Sequence, residues 1–168
     1  MPPSILAVSY FLHLLATVIW IGGLAILSGL VIPAARKSLV ENPQTAAFYA
    51  GLRKRFYPLV NLSLVVLLIT GIAQMSADEH YEGVLQFSND WSVALLLKHI
   101  AFVGMVVCGL AMQYLVAPAL ERATLLAAHG KGDAAEMERL RRRENRLAWL
   151  TLGIGILVLA FTAWATAL

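Results

Sequence analysis

Apolar residues in this chain come in long blocks and do not alternate. Four runs, at about residues 5–32, 58–76, 92–117 and 147–167, are each long enough to cross a hydrocarbon core, which takes roughly 20 residues as helix. No period-two stretch, internal repeat or polar block of domain size interrupts them. The pattern predicts an all-α integral membrane protein, one membrane domain over residues 1–168, folded as a four-helix up-down-up-down bundle.

The polar stretches between the runs are also structured. Ala119 to His129 should continue span three, Gly130-Lys131-Gly132 should turn, and Asp133 with Glu136 has capping-box spacing. Glu138 and Arg142 are placed for an i,i+4 pair, so a helical hairpin over about 119–146 should project from the bundle. Between spans one and two, Glu41-Asn42-Pro43 breaks the helix and Gln44 to Leu52 re-forms a short one. Arg55-Phe56-Tyr57-Pro58 then opens span two, with aromatics at the interface and proline near the first turn.

Composition agrees with the pattern: 60% of residues are hydrophobic, 14% are charged and the mean hydropathy is +0.74. Met1-Pro2-Pro3-Ser4 carries no Lys or Arg and no cleavage-site pattern follows, so the first run is expected to be a retained span. A single cysteine, Cys108, excludes an internal disulfide.

Charge adds orientation. Of the 13 Lys and Arg, five fall between spans one and two (Arg36, Lys37, Arg53, Lys54, Arg55). Seven fall between spans three and four (Arg122, Lys131, Arg139, Arg141, Arg142, Arg143, Arg146), and Lys98 lies within span three. The loop from Ala77 to Trp91 carries Asp78, Glu79, Glu82 and Asp90 instead. The positive-inside rule then puts both termini outside and both basic loops in the cytoplasm, in a bacterial-type cytoplasmic membrane. Arg141-Arg142-Arg143 beside a span reads as a contact for anionic lipid, and nucleic acid is not an expected partner.

The chemistry centres on His13, inside the stretch His13 to Gly23. An ionisable group within a membrane helix marks a functional site, because leaving it unpaired in lipid is costly. His13 is eight residues from the outer end of span one, about 12 Å deep, and His99 is eight residues beyond Trp91 in span three. Both spans run in the same direction, so the imidazoles share a depth. Diagonal helices of a bundle can hold a haem b with one axial histidine from each. On this reading His13 and His99 are the metal ligands and Trp20 lines the same face as Thr17 and Leu24, while Lys98 either snorkels outward to the interface or meets an acidic group of the ligand, such as a haem propionate or a substrate carboxylate. Val103, Val106, Leu110 and Gln113 share the face of His99. Gly22, Gly23, Gly29, Gly71, Gly104 and Gly109 permit close helix approach.

Copper is the alternative ligand. Met105, Cys108 and Met112 suit Cu(I), yet their stripe is rotated by about 180–240° from His99, which makes core filling the better reading for it. His80 sits in the acidic loop, where it could capture a cation weakly, and His129 sits in a turn with no assigned role. Beyond the bilayer, a redox partner or quinone, a homo-oligomer or a larger membrane complex are all compatible with the sequence. Membrane electron transfer is the redox role open to it, and no motif specifies a catalytic residue.

His13 followed by Trp20-Ile21-Gly22-Gly23 resembles the opening of the CopD-like copper-resistance membrane family. Val31-Ile32-Pro33-Ala34-Ala35, Arg55-Phe56-Tyr57-Pro58, Thr70-Gly71 and Leu97-Lys98-His99 match in order. The resemblance covers nearly the whole chain and implies copper handling. The chain is also similar to small membrane b-type cytochromes and to the HemJ protoporphyrinogen oxidases, which implies haem. HemJ's Leu-Pro-Arg after the tryptophan is absent here, since Pro33 and Arg36 come too late, and porphyrinogen oxidation is disfavoured.

Overall fold

The computed structural model describes residues 1–31, 33, 43–81, 83 and 89–168. Arg36, Lys37, the Glu41-Asn42 break and Glu82 lie outside the described residues. Four helices are long and apolar enough to cross a membrane. Here α1 is Pro3–Val31 and α2 is Pro43–Ala77. Next, α3 runs through Asp90–Ala111, Met112–Val116 and Ala117–Ala128 in succession, and α4 is Ala134–Thr166. The described residues contain no strand.

Local sequence explains the boundaries. Pro3 starts α1, where a missing N–H costs nothing, and the amides of Ile5 and Leu6 both reach the Pro2 carbonyl. Asn89 caps α3, accepting from the Ser92 amide at 2.8 Å while Ser92 Oγ reaches back. Gly130, at φ 70°, supplies the left-handed residue that ends α3, and Asp133 caps α4 through the Ala135 amide at 2.8 Å. The segment expected as a hairpin continues α3 and α4, and its beginning packs rather than projects: Leu120 and Ala123 are buried and Ala117–Ala128 contacts α2. Its Glu138–Arg142 pair forms at 2.8 Å.

One boundary differs from the sequence reading. Span two and the helix before it are continuous from Pro43 to Ala77, with Pro58 inside rather than near the start. Proline there removes one backbone donor, and the flanking turns carry the helix through. Departures from α-geometry occur elsewhere: Val18–Gly22 and Leu27–Val31 in α1 and Met112–Val116 in α3 are π-helical. Such turns concentrate at functional positions, and the first of them contains Trp20.

The helices pack as neighbours in chain order, α1 on α2 and α3 on α4, with the C-terminal part of α1 against α4 and the C-terminal part of α3 against α2. Spans one and three are thus diagonal, as expected. The core joins Ala16 and Trp20 of α1, Leu67 of α2, Met105 of α3 and Val158 of α4. Met105 is 2% exposed and approaches Gly155, where a Cβ would stand 3.4 Å from its sulfur. This residue of the soft stripe fills the core, as its polarizable chain suits it to do.

Candidate functional site at the α1–α2 seam

His13 stands ten residues into α1 and His99 nine residues into α3, about 15 and 14 Å along their helices. Each thus lies at a similar distance from the start of its own helix. Their surroundings differ, and each fixes its own ring.

The Nδ1 atom of His13 lies 2.7 Å from Thr70 Oγ1 on α2. Thr70 has one hydroxyl proton, directed at the Val66 carbonyl at 2.6 Å, so Thr70 accepts and His13 Nδ1 donates. The Nε2 atom is left with the lone pair, the arrangement of a neutral histidine that ligates a metal. Further polar side chains line the same seam. Ser9 Oγ donates to the Thr70 carbonyl and Gln74 Nε2 donates to Ser9 Oγ, both at 3.4 Å, and Thr17 Oγ1 donates to the His13 carbonyl at 2.8 Å. Gly71 adjoins the ring, and a Cβ there would meet His13 Cε1 at 3.6 Å.

On α3, His99 Nδ1 lies 2.7 Å from the Leu95 carbonyl. A carbonyl only accepts, so this Nδ1 also carries the proton and Nε2 is again the free donor atom. His99 and Lys98 are both half-buried. Lys98 shares its helix stripe with the buried Ala94 and Met105. Trp20 is 3% exposed and meets Phe102 of α3 edge-on, with centroids 6.1 Å apart at 90°. It spans the diagonal as a core residue.

The expected interior face of span three needs correction. Of the residues placed on it with His99, Val106 packs against the core and Gln113 is half-buried, but Val103 is 59% exposed and Leu110 is exposed as well. The buried face runs through Trp91, Ala94 and Met105, which puts Lys98 near its centre and His99 at its edge. In a helix apolar all round, hydrophobicity does not separate the core side from the lipid side. Thr70, which sets the His13 tautomer, was not singled out for that role by sequence. Its signal is weak: Ser63, Leu67, Thr70 and Gln74 form a partly polar stripe at helical spacing in an apolar span.

The remaining histidines are peripheral. His80 Nδ1 and its backbone amide both reach Asp78 Oδ1 at 3.0 Å, with the ring against Trp91. His129 Nδ1 caps the Leu125 carbonyl in the turn, at 2.8 Å. Among the described residues, no three His, Cys, Asp or Glu side chains come together as a metal-binding group.

The family model for copper resistance protein D matches residues 50–165. The chain belongs to the CopD family. That CopD match takes in Thr70, Lys98 and His99, while His13 and Trp20 precede it. No curated protein and no solved structure matches the chain. The CopD assignment and the four spans together make this a multi-pass membrane protein.

Proposed function

We propose that this CopD-family chain takes up or handles copper in a bacterial-type cytoplasmic membrane, with the Nε2 atoms of His13 and His99 as donors to the ion. The observation that carries the reading is the pair of anchored tautomers. Thr70 and the Leu95 carbonyl each occupy an Nδ1–H, so each imidazole offers its lone pair from Nε2 without having to lose a proton. Imidazole nitrogen suits copper, and a site of few donors lets the ion leave again, which handling requires. The polar seam of Gln74, Ser9 and Thr70 beside His13 gives a departing hydration shell alternative partners.

A second reading is haem b with bis-histidine ligation and membrane electron transfer to a redox partner or quinone. Lys98 favours it. A cationic side chain on the buried stripe of α3 opposes a bare metal cation and suits an acidic group such as a propionate. Purified protein separates the two. Colourless protein carrying stoichiometric copper is the expected result. A sharp Soret band with split α and β bands on reduction would overturn copper handling in favour of haem. In either case His13→Ala and His99→Ala should cause comparable losses of metal, and His80→Ala and His129→Ala should cause none.

A further inference from the structure

We propose that the extramembrane part of α4 seats one anionic phospholipid, with its phosphate on Arg139, Arg143 and Arg146 and an acyl chain laid along the same helix face. A groove of about 730 Å³ opens at this point, lined by these three arginines with Arg142 and Glu138. Arg142 Nε is held by Glu138 at 2.8 Å, whereas the other three have no acidic partner among the described residues. Four guanidiniums against one carboxylate leave the groove strongly cationic, and guanidinium forks match phosphate oxygens.

The geometry favours a lipid over a free anion. Because α4 is uninterrupted α-helix, positions 139, 143, 146, 150, 153 and 157 fall within about 40° of one direction at 100° per residue. The basic stripe therefore continues directly into Leu150, Gly153 and Leu157, all exposed. Gly153 leaves a notch, since a Cβ there would meet nothing within 4 Å. A headgroup site that runs into an open apolar track matches the two halves of a phospholipid and has no use for a soluble phosphate.

The test uses full-length protein in mild detergent, with retained lipid counted by native mass spectrometry during titration with phosphatidylglycerol or phosphatidylcholine. Preferential retention of one phosphatidylglycerol is expected. The triple variant Arg139→Gln, Arg143→Gln, Arg146→Gln should lose at least about tenfold in apparent affinity. A control of equal charge removed from other positions, Arg122→Gln, Lys131→Gln, Arg141→Gln, should retain binding. Gly153→Leu leaves every arginine in place and should still weaken retention by filling the notch. Equal retention of the two lipids, or equal loss in both triple variants, would overturn the proposal. So would displacement of the lipid by inorganic phosphate together with an inert Gly153→Leu, which would make the groove a free-phosphate site.

Discussion

The residue on which the candidate site turns is Thr70, because its single proton is committed elsewhere. An oxygen that donates to Val66 can only accept from His13, and that one bond decides which imidazole nitrogen is free. Thr70→Val keeps the shape and removes the acceptor. Copper affinity, titrated against a competing Cu(I) chelator, should fall about 10- to 100-fold, the usual cost of losing a histidine-orienting partner. Thr70→Ser restores the acceptor and should recover most of that affinity, whereas equal losses in both variants would reduce Thr70 to a packing residue. Lys98→Met probes the opposing charge. Removing a cation next to His99 on the buried stripe of α3 should strengthen Cu(I) binding in the same titration, while weaker binding would point to an anionic ligand at the site.

Among the elements, the α1–α2 contact shows how tightly two helices are set by one position. A Cβ on Gly23 would stand 2.6 Å from Phe56 Cε2, while one on Gly22 would meet nothing within 4 Å. Gly23→Ala must therefore push the Phe56 ring, an overpacking cost of about 1–3 kcal/mol, and Gly22→Ala should be nearly silent. Thermal unfolding in detergent would show it as a lower midpoint for Gly23→Ala alone, and equal midpoints would mean the ring swings aside freely. The two glycines are adjacent in sequence and indistinguishable there, since only the approach of a distant aromatic separates them. The same limit explains what the sequence could and could not reveal about the elements. Span number, the turn at Gly130 and the Glu138–Arg142 pair were legible because they depend on local composition and spacing. The interior stripe of span one, read as His13, Thr17, Trp20 and Leu24, was legible too, since polar and aromatic groups mark it; Ser9, which extends it, was not read. Span three lacks such marks apart from Lys98 and His99, and both sides of that helix are apolar, so Val103 was placed inward although it faces out. The partnership of His13 with Thr70, 57 positions apart, has no local signature at all.

For the whole molecule, the decisive quantity is the asymmetry of charge between its two ends. Twelve of the 13 Lys and Arg lie in the two segments joining spans one to two and three to four, and the remaining one is Lys98. An even number of spans in alternating direction puts both of those segments on one side, so the two signals reinforce each other. Retaining them in the cytoplasm places Asp90 outside and Lys131 inside. Consider a chain in which Cys108→Ser removes the native thiol and either Asp90→Cys or Lys131→Cys adds one at an exposed position. A membrane-impermeant maleimide added to intact spheroplasts should label the first and spare the second until the membrane is opened. The reverse pattern would invert the protein and with it the access route to the site. His13 lies about 15 Å from the Pro3 end of α1, which carries none of the basic segments. With that end outside, an ion bound at His13 would enter from the extracytoplasmic side, on which Ser9 and Gln74 lie, the direction uptake requires. Inversion would instead make the same seam a point of departure, and copper handling here would have to be read as export.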